Sequence, residues 1–472
     1  MTRLLLGTLA VAVAAFAPAP AQPKPTRLRA GALAIDVTPK TFPISVNGGM
    51  ADRQAKAATD PLHARCLVLD DGKTKLALVV VDSCMIPREL HDAAKALAEK
   101  KTGIPAANIL ISATHTHSAP TVAGVFQSDP DEAYAKYLTE RIAEGIATAD
   151  GKLAPAKVGY GSAPEPNQVF NRRWKLKEGF TNPDPFGRTT DRVRTNPGYQ
   201  NPNIAEPAGP VDPAVSVLSV RTADDRPLAL YASYGLHYVG DRPALSADYF
   251  GVFADRIGQL LGAKGGFVGI LSNGTSGDVN NINFREPAPG KREQGEKSRL
   301  VAEAVAVAAK KAADGATYRS DITLSAAVRD LRLGVRKPTA DEVKRAEEIL
   351  EKAKGRPLKG VEEIYARETA LLAKYPNAVL VRVQALRVGD LGIAAIPCEV
   401  FTEIGLRIKK ESPLMPTFMV SLANGYNGYL PTPAQHALGG YETWRARSSY
   451  LEVNASEAIT KAVLELLGEV KK

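Results

Sequence analysis

The 472-residue chain is poor in the residues that build redox and metal modules, with three cysteines, two tryptophans and six histidines. Cys66, Cys84 and Cys398 are too few for a disulfide framework or a cysteine-rich zinc module. Cys66 and Cys84 pair if their strands are neighbours, leaving Cys398 free; the alternative is three buried thiols. Runs of like charge are also missing. The 60 Lys and Arg and the 51 Asp and Glu are interspersed, so the formal charge of +9 describes a solvated surface and gives no nucleic-acid or membrane footprint. Beyond the N-terminus no apolar run is long enough for a transmembrane helix. At the N-terminus, Arg3 precedes "LLLGTLAVAVAAFA", and Ala19-Pro20-Ala21 supplies a small-x-small cleavage site. That run is too short to span a bilayer. Residues 1–21 therefore read as a signal peptide, and the mature chain is expected to be exported, to a periplasm or beyond.

What is present is a globular composition, 44% hydrophobic and 24% charged, with β-rich and helical patterns interleaved. "RCLVLD" and "KLALVVVD" around "DGKT" predict a hairpin. "PRELHDAAKALAEKKTGI" has helical spacing, with Pro87 near its start and Gly103 near its end. A second helix is expected from about Asp131 to Ala149. "NILISATHTHS", "AVSVLSVRT", "PLALYASYGLHYVG", "GFVGILSNGTSGD" and "ITLSAAVRDLRL" predict strands, with helices around "DYFGVFADRIGQLLGA" and from about Arg292 to Ala313. Ala340 to about Lys374 is a charged helical hairpin interrupted near "GRPLKG". "VLVRVQALRVGDLGIAAIPCEVF" is a strand pair turning at Gly389-Asp390, and "NASEAITKAVLELLGEV" is a closing helix. Residues 164–212, rich in Pro, Asn, Arg and Gly, show no periodicity and read as a long loop, functional or disordered. No repeat or linker divides the chain, so residues 22–472 are expected to form one large mixed α/β domain.

On a strand, residues i and i+2 share a face, so His115 and His117 in "ISATHTHSAP" can point into one cleft. Imidazole is the commonest metal ligand near neutral pH. The pair suits two ligands, or one ligand and its partner; a polar strand end is the competing reading. A catalytic zinc needs three protein ligands and an open position, so other groups must come from elsewhere. His237 in "YGLHYVGD" and Glu399 in "IAAIPCEVF" end two further apolar strands, and burying an unpaired carboxylate is costly. Among the other candidates, His63 reads as structural, His91 as solvated on a charged helix, and His436 as a pocket-lining candidate. Asp82 and Asp248 either orient metal-bound histidines or serve as caps and turn residues. Trp174 and Trp444 are either an aromatic substrate wall or ordinary packing.

"AGALAIDVTP", "ISATHTHSAP", "NRRW", "YGLHYVG", "NGTSGDVNN", "IPCEVFTEIG" and "ANGYNGYLPTPAQHALGGYE" stand in the order, and with the local context, of one known family. Over about Gly31 to Glu469 the chain resembles the neutral/alkaline non-lysosomal ceramidases. The closing tyrosine motif is the most specific part, with Tyr429 and Tyr441 in the family's setting. The resemblance implies a mixed α/β domain whose strands end at a central Zn2+ held by His115, His237, Glu399 and Tyr429. It gives His117 a substrate-side role and Tyr441 a hydrogen bond to the developing oxyanion. It matches Arg172 to an arginine that contacts substrate, with the neighbouring Arg173 leaving that register open.

Two departures shape the expectation. At the family's active-site serine this chain has Asn280, which cannot be an acyl-forming nucleophile, so a mechanism through zinc-activated water is expected. The chain also reads as the catalytic domain alone, without the additional C-terminal β-sandwich usual in these ceramidases. The function implied is an exported zinc-dependent hydrolase of amide or ester bonds acting on a small-molecule or lipid-like substrate. The alternatives are a non-catalytic lipid- or glycan-binding protein on the same fold, and a zinc hydrolase of acylated sugars.

Overall fold

In the computed structural model, residues 28–472 are described; residues 1–21, expected from the sequence to be a signal peptide, lie outside them. Two sheets carry the architecture. The larger has eight strands in the order Val268–Asn273, Pro227–Tyr234, Ala214–Thr222, Ala154–Pro164, Arg29–Asp36, His63–Asp70, Lys75–Val81 and Ile109–Ala113. The smaller has four: Leu324–Gly334, Ala378–Val388, Leu391–Ala395 and Thr417–Val420. Because side chains alternate along a strand, each apolar run serves two cores at once. In Lys75–Val81, Leu76, Leu78 and Val80 face the small sheet, while Ala77, Val79 and Val81 face helices. Each fully buried Val or Leu contributes about 1.5–3 kcal/mol, which is why both halves of such a strand are apolar.

The layers are helix, large sheet, small sheet, helix. Tyr231 of the large sheet stacks on Phe418 of the small one. Helices Arg88–Thr102 and Glu132–Asp150 cover one half of the outer large-sheet face, and Asp248–Leu260 and Glu296–Asp314 cover the other. Helices Thr402–Glu411 and Ala455–Lys471 close the small sheet. The expected single mixed α/β domain is what the described residues form. Among them no helix is long and apolar enough to cross a membrane.

Local chemistry explains the punctuation. Asp71 Oδ1 accepts from the backbone N–H of Lys73 and Thr74, and Gly72 takes φ 87°, closing the "DGKT" hairpin. Asp131 caps Glu132–Asp150 by accepting from Tyr134 N at 2.8 Å. Gly103, at φ 71°, ends Arg88–Thr102. The helical hairpin is present as Ala340–Ala353 and Gly360–Ala373.

Two expectations change, and one open alternative is decided. Residues 164–212 are not structureless: Val193–Thr195, Arg173–Leu176 and Ile204–Pro207 make a three-stranded sheet, and Phe170–Asn171 pairs with Val279–Asn280. Strands of two to four residues are too short to show a period. His91 is not solvated. It lies with Leu90, Ala94, Lys95 and Ala98 on the buried face of its helix, and burial pushes its pKa down to about 3. All three cysteines are free and buried, the other alternative left open: Cys84 lies beyond the end of Lys75–Val81, and Cys66 and Cys84 do not pair.

Candidate metal centre

Three strand–helix–strand crossovers supply the parallel pairs of the two sheets: Lys75–Val81 with Ile109–Ala113, Pro227–Tyr234 with Val268–Asn273, and Leu391–Ala395 with Thr417–Val420. Their carboxyl ends meet. Ser421 N donates to Asn273 O, Leu422 N to Cys398 O, Ala113 N to Leu422 O, and Asn424 N to Ile111 O. The candidate residues lie just past these ends, where open α/β sheets bind ligands. Several backbones there are forced into positive φ without being glycine: His115 at 70°, Leu422 at 53° and Asn424 at 63°. Such conformations persist only where the surroundings over-determine them.

His115 and His117 are therefore not strand residues. The strand stops at Ala113, and the left-handed turn at His115 brings the two rings together edge-on, Nε2 to Nε2 at 3.2 Å. His237 likewise lies beyond its strand, which ends at Tyr234. Glu399 does not end Leu391–Ala395 but opens a separate strand, Glu399–Val400, paired in parallel with Tyr429–Leu430 so that Glu399 stands opposite Tyr429. This pairing joins two candidates thirty positions apart in the sequence.

Both inner imidazoles have their tautomer set by a carbonyl. His115 Nδ1 donates to Cys84 O at 2.7 Å and His237 Nδ1 to Ser276 O at 3.0 Å, which aims both Nε2 atoms inward. His115 Nε2 then lies 3.1 Å from His237 Nε2 and 3.1 Å from Glu399 Oε2, with His237 to Glu399 at 3.8 Å. All three residues are at most 2% exposed. Oε2 of Glu399 has no hydrogen-bond partner. Burial disfavours charge at His237 and His117, and nearby cationic groups (Arg172 first at His237, His115 first at His117) add to it, so both stay neutral. At His115 burial acts the same way, but the Glu399 carboxylate outweighs it and raises the pKa. Burial pushes Glu399 up, and His115 outweighs that to hold it below the usual carboxylate range.

These donors fit a tetrahedral cation. Bonds of 2.0–2.1 Å imply ligand separations of about 3.3 Å, close to those observed. Tyr429, 5% exposed, adds an oxygen opposite Glu399. Arg172 holds that oxygen through Nη2 at 3.0 Å, reaches His237 Nε2 through Nη1 at 3.3 Å, and is fixed by Glu442 at 3.0 Å. Arg173 turns away, to Glu442, Gln435 and Gly439 O. The open register is thus decided for Arg172 as the arginine beside the cluster. Tyr441 packs edge-on against Tyr429, ring centres 5.7 Å apart.

No protein-family model matches the chain. The neutral ceramidase of Pseudomonas aeruginosa is 25% identical over 279 residues, covering 54% of this chain and 38% of that protein. The chain thus spans well under two thirds of that relative's length in the match. The crystal structure of neutral ceramidase from Pseudomonas aeruginosa superposes with a TM-score of 0.71, covering 94% of this chain and 74% of that one at 19% identity. A structure of ceramidase complexed with C2 gives 0.71, with 94% and 75% covered at 18% identity. The chain is thus similar in sequence to a neutral ceramidase and shares the fold of the neutral ceramidase structures.

The side chain of Asn280 is engaged away from the cluster. Its Nδ2 donates to Asn196 at 2.7 Å and its Oδ1 accepts from Ile282 N at 3.0 Å, and none of its hydrogen bonds reaches the histidines, Glu399 or the tyrosines. Asp82 pairs with Arg65 at 2.7 Å, and Asp248 accepts from the backbone of Val239, Gly240 and Tyr249; neither touches a clustered imidazole. Asp248 instead shapes the loop just after His237. His63 lies beside Arg65 and Asp82, and His436 sits on the short helix Pro433–Leu438 with its pKa pushed down to about 3 by burial. Trp444 donates to Asp191 and packs on Tyr441, whereas Trp174 is buried under Arg285.

Three residues escaped the sequence reading. Tyr238 stacks on His117 at 3.7 Å between ring centres; Tyr426 donates to Glu399 Oε1 at 3.0 Å; Glu442 binds both arginines. Each is a direct or near neighbour of a residue the motifs singled out, and that adjacency was the only available signal.

Proposed function

We propose that the chain is an exported, zinc-dependent hydrolase of amide or ester bonds, acting on a small-molecule or lipid-like substrate as the ceramidase resemblance implies. One observation carries the reading. His115 Nε2 faces lone-pair atoms of His237, Glu399 and His117 at 3.1–3.2 Å, and a single proton on it can serve one of the three. A cation serves the inner three together, and two imidazoles with anionic oxygens are a zinc donor set. His115, His237, Glu399 and Tyr429 would hold it. When bound, zinc lowers the pKa of a water to about 7 and polarises a carbonyl.

The chain's own residues divide the remaining work. His117, kept neutral and held between Tyr238 and the Gly48 backbone, can accept a proton at Nε2 and return it to the departing amine or alkoxide. Tyr441 keeps its phenolic proton because burial, with Glu399, raises its pKa, so it can donate to a developing oxyanion. Arg172, braced by Glu442, places a fixed positive charge beside the reacting carbonyl. Asn280, whose amide is engaged elsewhere, takes no covalent part. Export rests on residues 1–21.

The test is turnover of zinc-loaded protein on N-acyl and O-acyl substrates, ceramide and acylated sugars included. Hydrolysis abolished by a chelator and by His117→Ala supports the reading. No turnover on any member, or turnover indifferent to chelation, overturns it; binding without turnover would point to the non-catalytic alternative.

A further inference from the structure

The carboxylate of Glu399 is divided between two neighbours. Oε2 has no hydrogen-bond partner and faces His115. Oε1 accepts from Tyr426 Oη at 3.0 Å. We propose that Tyr426 is the positioning residue for Glu399: its phenol fixes the carboxylate so that one oxygen alone, Oε2, is presented to the cation. The inference rests on the metal reading above.

Tyr426 is itself held on both sides. The chain reaches it through Asn424 at φ 63° and Gly425 at φ 151°. Buried Lys95 donates to Asn424 Oδ1 at 2.6 Å, and Asn424 Nδ2 donates to Gln384 at 2.8 Å. On the far side Asn427 N donates to Pro397 O at 2.7 Å, two residues before Glu399, and Asn427 Nδ2 donates to Tyr450 Oη at 2.6 Å. The ring therefore has a defined place relative to Glu399.

Tyr426 also lines a groove of about 990 Å³ with Leu90, Val122, Leu380 and Tyr450. Removing the phenolic oxygen leaves Oε1 without a partner and frees the carboxylate to turn. Groups that hydrogen-bond a metal's ligands change metal affinity about 10–100-fold when lost.

The experiment measures Zn2+ dissociation constants by chelator competition, and the visible spectrum of the Co2+ form, for the unmodified chain, Tyr426→Phe and Tyr160→Phe, whose hydroxyl bonds Asp390 outside this network. Tyr426→Phe is expected to weaken Zn2+ about 10–100-fold and to shift the Co2+ bands, with Tyr160→Phe matching the unmodified chain. Zn2+ affinity and Co2+ spectrum unchanged in Tyr426→Phe, while the unmodified chain binds tightly, overturn this inference alone. No Zn2+ binding by the unmodified chain overturns the metal reading and this one with it.

Discussion

Replacing Glu442 by glutamine keeps its shape and removes its charge. Both carboxylate oxygens are committed: Oε1 accepts from Arg172 Nε at 3.0 Å, and Oε2 from Arg173 Nη1 at 2.6 Å and Thr195 Oγ1 at 2.7 Å. Whichever end of the new amide carries the NH2 group then faces a donor. Glu442 and Arg173 are 0% exposed and Arg172 5%, so water cannot compensate. Breaking a buried ion pair from one side costs about 3–5 kcal/mol. Unfolding entropy near 2.1 cal/mol/K per residue gives about 1 kcal/mol/K for a chain of this length, so the melting temperature should fall by about 3–5 °C. The sign with pH follows from the carboxyl. Burial raises its pKa, but Arg173 and Arg172 outweigh burial and lower it. Its stabilisation is complete above the unfolded-state value of about 4.3 and is lost as pH falls through the lower folded value. The gap between parent and Glu442→Gln should be full at pH 7 and shrink in acid. Calorimetry at several pH values measures it. A melting point at pH 7 within about 1 °C of the parent, below that expected range, would refute the reasoning.

Three further outcomes are expected. Gly48→Ala drives a Cβ to within 2.3 Å of His117 Cγ at a residue with φ 99°, so kcat should fall about 100-fold while metal content is unchanged, read by steady-state kinetics and elemental analysis. Asn280→Ala should lower stability by about 1–3 kcal/mol through its lost bonds to Asn196 and Ile282, measured by denaturant titration, with no change in metal content. Lys95, whose pKa burial lowers to about 7, binds protons less readily folded than unfolded, so stability should rise from about pH 7 toward 10 and Lys95→Met should flatten that slope in pH-dependent melts.

The pattern of apolar runs and turn residues was enough to place most sheet strands and helices, because alternation and 3.6-residue spacing survive in long elements. Strand ends were not legible. "NILISATHTHS" reads on as a strand past Ala113, since nothing in the residue types announces a left-handed histidine at 115. The same blindness carried His237 and Glu399 onto strand tips, when each lies in or beyond a loop shaped by distant backbone. His115, His237, Glu399, Tyr429, Arg172 and Tyr441 were each visible as unusual polar residues in apolar or aromatic settings, or through the ceramidase resemblance. Their convergence was not, because it depends on crossover connections and on the two-residue pairing of Glu399 with Tyr429. The motif places Asn280 by sequence order alone, and the partners of its side chain, Asn196 and Ile282 N, were not legible in it.

The most direct measurement is the metal content of the purified, zinc-loaded and dialysed chain beside His115→Ala and Glu399→Ala, with folding of each checked by circular dichroism. One zinc per unmodified chain and its loss from both folded variants is the expected result. An unmodified chain that retains no stoichiometric zinc, or folded variants that retain as much as the parent, would contradict a metal centre built on His115, His237 and Glu399.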